Sequence, residues 1–129
     1  MPDNITIFDR HLVRQKRQRA LPKLNDHGFL IDWARDQLLA RLEFITRDFD
    51  CVLQIGNRTD INPKTIKGNQ HFYIADSIAK TDDVLQSILC EEELLPFNEN
   101  SFDLLLSPLN LHTVNDLPGA LTQIKHALK

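Results

Sequence analysis

The chain has 129 residues, 42% of them hydrophobic, with 4 glycines, 6 prolines and a formal net charge of −3. This length and composition predict one compact globular domain with a core of its own and leave little room for a second full domain. No apolar run approaches the roughly 20 residues of a membrane-spanning helix. The small negative charge gives no general attraction to nucleic acid or anionic membranes. We therefore expect a soluble, intracellular protein with no nucleic-acid partner and no membrane span.

The first predicted element is a strongly basic helix over Ile7–Leu21, which Pro22 ends. Arg10, Arg14 and Arg17 are spaced i, i+4 and i+7, which places them on one helical face. Two interpretations of this face remain open at this stage. It is either solvated or a docking face for an acidic protein partner.

An amphipathic helix is predicted next, after turn and cap residues at Asn25, Asp26 and Gly28. Apolar residues recur there with a 3.6-residue period, with charged residues between them. The predicted stripe consists of Leu30, Trp33, Ala34, Leu38, Arg41, Leu42 and Ile45.

Four short apolar runs predict strands, over Cys51–Ile55, His71–Ala75, Ser87–Cys90 and Phe102–Ser107, the last of them buried on both faces. The crossover between the first two strands has room for barely two helical turns, and the one from Ser77 to Gln86 for only a brief helix. A better helix follows the fourth strand. It is capped by Asn115 or Asp116, has Pro118 in its first turn, and carries an apolar face of Leu117, Leu121, Ile124 and Leu128.

This order of elements indicates an α/β protein, because strands that alternate with crossovers form right-handed units and a parallel sheet. Cys51 and Cys90 fall in apolar runs and are predicted to be buried, reduced thiols on neighbouring strands. Five scattered histidines and the lack of a Cys-x-x-Cys pair predict no metal site.

Three segments in the second half of the chain carry a family resemblance: Leu95–Phe97, Ser101–Asp103 and Leu111–Ala120. They resemble a class I methyltransferase domain of the "type 11" kind, which depends on S-adenosylmethionine (SAM). The arginine-rich opening around Phe8–Arg10 resembles the methyltransferase-like assembly factors of respiratory complex I. A more distant similarity is to the methyltransferase of biotin synthesis that esterifies a malonyl thioester.

The resemblance implies a partial Rossmann-like class I methyltransferase fold, with strand order 3-2-1-4 and N-terminal helices. It divides the chain into an N-terminal helical segment, 1–48, and a partial SAM-methyltransferase domain, 49–129. Full domains of this class continue through three more strands, so the fourth strand is expected to have a bare apolar edge. Such an edge predicts self-association into a homo-oligomer.

The resemblance also implies four cofactor-binding residues, and it assigns no catalytic residue. Gly56 stands at the first glycine of the cofactor loop and Thr59 at the threonine within it. Asp76 matches the acid that accepts hydrogen bonds from the ribose, and Glu91 the acid that meets the adenine amino group. Without the resemblance, Asp76 would be interpreted as a turn cap and Glu91–Glu93 as a solvated acidic edge.

The cofactor loop departs from the family pattern Asp-x-Gly-x-Gly-x-Gly, because the chain has Gln54, Gly56, Arg58 and Asp60 at these positions. Glycines let the backbone approach a ligand and adopt positive φ. A side chain forced into that conformation costs roughly 1–2 kcal/mol. Arg58 would also add bulk and like charge beside a ligand that carries a sulfonium and an ammonium group.

Two functions therefore remain. The chain is either an active SAM-dependent methyltransferase, or a pseudo-methyltransferase that binds a protein through its basic helix or its sheet edge. The altered loop favours the second. His112 and Trp33 are expected to pack rather than to catalyse. The resemblance implies the cytoplasm as the location in a bacterium and the mitochondrial matrix in a eukaryote.

Overall fold

The N-terminal part of the protein consists of helices. The structure, a computed structural model, describes residues 5–79 and 86–129. Helix α1 spans Arg10–Ala20, and the Asp9 carboxylate caps it by accepting a hydrogen bond from the backbone N–H of Leu12, 3.1 Å away. A 3₁₀ turn over Leu21–Lys23, which contains Pro22, ends α1 as predicted. Two further helices follow, α2 at Leu24–His27 and α3 at Phe29–Leu42.

In the described part of the chain, four strands form a parallel sheet, which confirms the predicted α/β class. Its strands are β1 (Cys51–Ile55), β2 (His71–Asp76), β3 (Gln86–Leu89) and β4 (Leu104–Leu106). They lie in the order β3-β2-β1-β4, as expected, and Val52 of β1 pairs with Phe72 on one side and Leu104 on the other.

The connections are short, as predicted for the first crossover. Between β1 and β2 the only helical element is a 3₁₀ turn at Pro63–Thr65. The brief helix expected from Ser77 to Gln86 falls mostly on residues 80–85, which lie outside the described residues. A 3₁₀ turn at Leu111–Thr113 leads into helix α4, Leu117–Ala127, which Asp116 caps at the Gly119 N–H.

Each face of the sheet carries its own hydrophobic cluster, because successive strand residues point to opposite faces. Leu39 and Leu42 of α3 pack against one cluster, which contains Phe49, Val52, Ile61, Ile66, Phe72, Ile74 and Leu106. The other contains Leu53, Ile55, Ala75, Phe102 and Ala127, and Ile124 of α4 packs against it.

The predicted apolar faces of two helices are partly wrong. Leu30 and Trp33 of α3 are exposed, Trp33 at 60% of its surface. Leu42 packs against the core as predicted, together with Leu39, which lies outside the predicted stripe. The helix has apolar residues on more than one side, so sequence periodicity alone did not select the buried stripe. In α4, Leu117 and Leu121 are exposed, and the buried residues are Ala120 and Ala127.

Two details of the sheet also differ from expectation. Leu104 and Leu105 are only half-buried, since β4 lies at the edge of the described sheet. The free cysteines Cys51 and Cys90 are half-buried and are not on neighbouring strands, because β2 lies between β1 and β3. Burial raises the pKa of both thiols, that of Cys90 to about 11.

Among the described helices, none is long and apolar enough to cross a membrane.

Candidate functional site

The candidate site lies at the carboxyl edge of the sheet, where β1, β2 and β4 end. The chain leaves β1 toward β2 on one side and returns at β4 on the other, which makes a topological switch point between β1 and β4. Ligands of open parallel sheets bind at such points. We call the residues that meet here the carboxyl-edge site; they are 54–60, 76–78, 91–92 and 107–113.

Gly56 has a conformation that only glycine adopts easily, with φ of +100°. Its N–H donates to the Ala75 carbonyl of β2 at 2.8 Å, and a Cβ added to it would lie 2.8 Å from the Asn110 side chain. The fold therefore requires this glycine whether or not a ligand is bound, because Asn110 fills the space that the missing side chain leaves.

Arg58 crosses the site from the β1 loop to the segment after β4. Its Nη2 donates a hydrogen bond to the Leu109 carbonyl oxygen. Burial, and then the charge of Arg17, lower the pKa of this guanidinium, whereas Asp76 and Glu92 act in the opposite direction. The group keeps its proton at neutral pH, so a second cation placed beside it would be repelled.

The strain expected in the altered loop is not found. Among the described non-glycine residues, positive φ occurs at Asn100 and Leu109, and neither Arg58 nor Asp60 has it. The loop accommodates both side chains with ordinary backbone angles. The left-handed residue of the site is Leu109, φ +47°, whose carbonyl accepts the Arg58 hydrogen bond.

Asp76, at the end of β2, is 2% exposed and holds two turns together. Its Oδ2 accepts from the backbone N–H of Asn57 at 2.8 Å, and its Oδ1 accepts from the N–H of Ile78 at 3.2 Å. The carboxylate thus joins the β1 loop to the segment after β2, which is the turn-cap role considered from the sequence.

Thr59 is tied to α3. Its hydroxyl donates to Asp32 Oδ1 at 2.7 Å and accepts from Arg35 Nη1 at 3.1 Å. Beneath the loop, the buried Gln54 side chain donates to the carbonyl oxygens of Gly56 and Thr59 at 2.6 and 2.9 Å. These contacts fix the loop from below.

Glu91, just after β3, is bonded to α1. Its Oε1 accepts from Arg14 Nη1 at 2.7 Å, and its Oε2 accepts from Arg10 Nη2 at 2.9 Å. The basic face of α1, predicted to be solvated or to bind a partner, therefore contacts an acidic segment of its own chain. Docking of an external partner on α1 stays a prediction.

Glu92 was interpreted as part of a solvated edge, and this is wrong, because its side chain is 1% exposed. Arg17, 6% exposed, donates to Glu92 Oε1 at 2.9 Å, and Asn110 Nδ2 donates to the same oxygen at 2.9 Å. Burial would raise the pKa of Glu92, but a hydrogen bond from its own backbone N–H and the charges of Arg10 and Arg17 bring that pKa below its ordinary value.

Sequence reasoning missed the buried polar residues that connect these parts, namely Asn57, Glu92 and Asn110. Only the mixture of polar residues with apolar neighbours could have pointed to them, and that signal does not separate buried from exposed positions. Four buried side-chain atoms in the described structure have no hydrogen-bond partner, and all lie at the carboxyl-edge site: Gln54 Oε1, Asn57 Oδ1, Ser107 Oγ and Asn110 Oδ1.

Neither His112 nor Trp33 packs as expected, because both are exposed. Partial burial and the charges of Arg58 and Arg17 lower the pKa of His112, so its imidazole is neutral at pH 7. Within residues 5–79 and 86–129, no group of three or more His, Cys, Asp or Glu side chains is arranged to hold a metal ion.

The fold is that of an open parallel α/β domain with a candidate site at the carboxyl edge of its sheet, and the comparison with protein families agrees. The methyltransferase domain profile matches residues 57–129. The chain belongs to the methyltransferase domain family. Proteins of this family generally bind SAM.

The curated relatives include two named "Arginine-hydroxylase NDUFAF5, mitochondrial". The rat protein is 37% identical and the human protein 35%, in each case over 99% of this chain and 40% of the relative. A third relative, "Malonyl-[acyl-carrier protein] O-methyltransferase 1" of Coxiella burnetii, is 25% identical over the whole chain and 48% of its own length. The chain thus spans less than half the length of these relatives. No solved structure matches it significantly.

The residues at the carboxyl-edge site do not fit SAM as they are arranged here. Asp76 and Glu91 have both carboxylate oxygens engaged by their own chain. The space beside Gly56 is filled by Asn110, and the Thr59 hydroxyl is held by α3. Arg58 adds a cation at this edge of the sheet, on the Leu109 carbonyl, and like charges disfavour a cationic ligand beside it. All four residues that the resemblance implied are brought to this edge, and each is already committed within the protein.

Proposed function

We propose that this chain is a methyltransferase-domain protein whose cofactor site is closed by its own side chains, and that it acts as a non-catalytic binding module. The single observation that carries the proposal is the Arg58 side chain, which crosses the switch point and donates to the Leu109 carbonyl. Methyl transfer needs the methyl carbon and its acceptor held in line, and a displacement of about 1 Å can cost on the order of a hundredfold in rate. A guanidinium group in the cofactor's place would disturb the alignment of methyl carbon and acceptor more than a displacement of about 1 Å does.

Calorimetric titration with SAM and with its demethylated product, S-adenosylhomocysteine, tests this proposal. We expect no binding heat from the wild-type chain at about 1 mM of either ligand. The double variant Arg58→Gly with Asp60→Gly removes the Arg58 side chain from the site. We expect it to bind SAM with a Kd at least about tenfold lower than the roughly 1 mM at which the wild type shows no binding. Arg58→Lys is the matched control, because it keeps the charge and most of the length. Wild-type binding with a Kd of about 10 µM or lower would refute the proposal.

An active enzyme is the second candidate, and the four unsatisfied atoms at the site favour it. Gln54, Asn57, Ser107 and Asn110 each present a buried oxygen without a donor, and buried polar atoms of this kind are usually satisfied by a ligand or by water. In this alternative Asp76 and Glu91 would release their present partners and hold the nucleoside of SAM. The reaction would be a methyl transfer, as the name of the Coxiella burnetii relative states. The arginine hydroxylation in the names of the rat and human relatives would need an added oxidant such as O₂, which SAM does not supply.

The edge of β4 is the place where we propose self-association into a homo-oligomer. On its outer side the described residues supply one isolated parallel bridge, Phe102 with Leu128, while Leu104 and Leu105 are half-buried. Open strand edges recruit further strands. Light scattering coupled to size-exclusion chromatography is expected to give a mass above that of one chain at tens of micromolar. A monomer over the whole concentration range would refute this proposal.

For location, the names of the rat and human relatives include the mitochondrion. We propose the mitochondrial matrix if the chain is eukaryotic and the cytoplasm if it is bacterial.

A further inference from the structure

The solvent-facing side of α3 carries large apolar side chains. The exposed fraction is 79% for Phe29, 60% for Trp33 and 88% for Phe44, which lies just past the end of the helix. These three aromatic residues together leave on the order of 500 Å² uncovered. Apolar patches of more than a few hundred Å² are rare on monomeric proteins and mark binding surfaces. This side of α3 therefore indicates an interface.

Exposed residues of α3 follow the spacing of a coiled-coil interface. Five of them are separated alternately by three and four positions: Leu30, Trp33, Gln37, Ala40 and Phe44. This is the spacing of the a and d positions of a heptad repeat, with Leu30, Gln37 and Phe44 at a. The backbone N–H of Phe44 donates to the Arg41 carbonyl oxygen at 3.3 Å, so the helical turn continues to the end of the set. We call these five residues the α3 seam.

The other sides of α3 contact its own chain. The half-buried residues of the helix are Ile31, Asp32, Ala34, Arg35, Leu38, Leu39 and Leu42. Leu39 and Leu42 pack against the core, and Arg35 donates to the Thr59 hydroxyl. Substitutions in the α3 seam consequently leave the packing of α3 on its own domain in place.

One acidic and one basic residue flank the α3 seam. In the same heptad Asp36 stands at position g and Arg41 at position e, five residues later. In a parallel two-stranded coiled coil, e and g residues of the two helices form the ion pairs that set partner and orientation. The Arg41 side chain is exposed and bonds to no described residue. Asp36, 62% exposed, accepts from Arg35 Nε at 2.9 Å, and Arg35 keeps Asp32 and Thr59 as partners without it.

We propose that the α3 seam is the interface between two copies of this chain, with their α3 helices parallel and Asp36 of each copy bonded to Arg41 of the other. The charges of α3 fit a second copy, because its two acidic and two basic residues sum to zero. An anionic membrane would instead select an excess of cations. Gln37 supports the same pairing, since a single polar residue at an a position specifies the register of such a dimer. This interface is distinct from the β4 edge and from the carboxyl-edge site.

Fluorescence of the single tryptophan reports contact at the α3 seam and not at the β4 edge. In one copy alone, the Trp33 ring is exposed to water. Dimerisation removes water from the ring, so we expect its emission maximum to move to shorter wavelength as the protein concentration rises from about 0.1 to 100 µM. An emission maximum that stays constant over this range, and is equal in the wild type and in Asp36→Arg, would overturn the proposal.

Charge reversal tests the proposed ion pairs. Asp36→Arg and Arg41→Asp each place like charges at both contacts, so we expect either variant alone to dimerise with a Kd at least about tenfold higher than the wild type. An equal mixture of the two variants pairs opposite charges at both contacts and should regain the short-wavelength emission. A mixture whose spectrum is the mean of the two separate spectra would contradict the pairing.

A variant with stronger association is expected at the centre of the seam. Gln37→Leu replaces its polar residue, and each copy then buries a leucine side chain, so the Kd of the dimer should fall at least about tenfold. The exposed Glu99→Leu is the matched control and should keep the wild-type Kd. Equal values for Gln37→Leu and the wild type would refute the interface, and loss of folding cannot explain a gain in affinity.

A membrane as the partner of the α3 seam is the remaining outcome of the fluorescence test. Vesicles with anionic lipid would then shift the Trp33 emission at a protein concentration where the protein alone shows no shift, and this result would overturn the second copy. These measurements use no cofactor, so their outcome is independent of whether the carboxyl-edge site binds SAM.

Discussion

Replacing Arg17 with alanine is expected to destabilise the protein by about 2–4 kcal/mol, because the buried Glu92 Oε1 loses its charged donor and Arg10 is the cation that remains on this carboxylate. Both side chains are almost completely buried, and Glu92 accepts from Arg17 and from Asn110 through the same oxygen. Urea unfolding followed by circular dichroism gives the change in the free energy of unfolding.

The matched control for this prediction is Arg19→Ala on the same helix. Its side chain is exposed and forms no ion pair or hydrogen bond with a described residue, so we expect a change within about 0.5 kcal/mol. The double substitution Arg17→Met with Glu92→Leu removes both charges together and should cost less than Arg17→Ala alone. A loss below about 1 kcal/mol for Arg17→Ala would contradict the buried ion pair.

Acid is expected to lower the free energy of unfolding by protonating Glu92, the acidic member of the same pair. Burial opposes the charged form of Glu92, but its backbone hydrogen bond and the two arginines lower its pKa in the folded state. A carboxyl with a depressed pKa contributes stability that is fully present above its unfolded value, near 4.3, and is lost as the pH falls through the folded value. The free energy of unfolding should therefore fall below about pH 4, and less steeply in Glu92→Gln. Parallel pH profiles of the two proteins would contradict this assignment.

The second large effect is expected at Asp76. Asp76→Ala should destabilise the protein by about 2–4 kcal/mol, since two buried N–H groups lose their acceptor at about 1–3 kcal/mol each. These donors belong to Asn57 and Ile78. Asp76→Asn keeps one carbonyl oxygen and should cost about half as much. The exposed Glu99→Ala is the control for loss of a carboxylate.

The Asp76 prediction separates two roles of this residue. If the carboxylate were kept for a ribose, its removal would change ligand affinity and leave the free energy of unfolding nearly unchanged. A stability within about 0.5 kcal/mol of the wild type would therefore contradict the turn-cap role.

The sequence predicted the sheet well because the signals of its strands are local. Each strand is a short apolar run between polar turns, and the resemblance supplied the order 3-2-1-4 that the structure confirms. Asp116 and Pro118 marked the start of α4 for the same reason, since helix caps are read from neighbouring residues.

The sequence failed where distant residues decide. The period of α3 placed Leu30, Trp33 and Leu42 toward the core, whereas only Leu42 of these three packs there, beside Leu39, and the other two are exposed. Glu92 was interpreted as solvated because nothing near it in the chain shows that Arg17, 75 residues away, pairs with it. The charge of an acidic run does not reveal which member is buried.

The sequence and the resemblance predicted where the candidate site lies, but not that its polar groups are already bonded within the protein. The resemblance brought Gly56, Thr59, Asp76 and Glu91 to one edge of the sheet, where the structure also places them. It could not show that these four residues are already in contact with other parts of the chain, which include α1, α3 and the residues after β4. Arg58 was recognised as an obstacle from its size and charge, and the structure adds the carbonyl that it binds.

The most direct test of the closed site is a crystal structure of the wild-type chain grown with saturating SAM. We expect the Arg58 guanidinium on the Leu109 carbonyl, Glu91 on Arg10 and Arg14, and no nucleoside density beside Gly56. The account would be contradicted by density for SAM in the β1 loop, with the SAM ribose bonded to Asp76 and the Arg58 side chain moved away from Leu109.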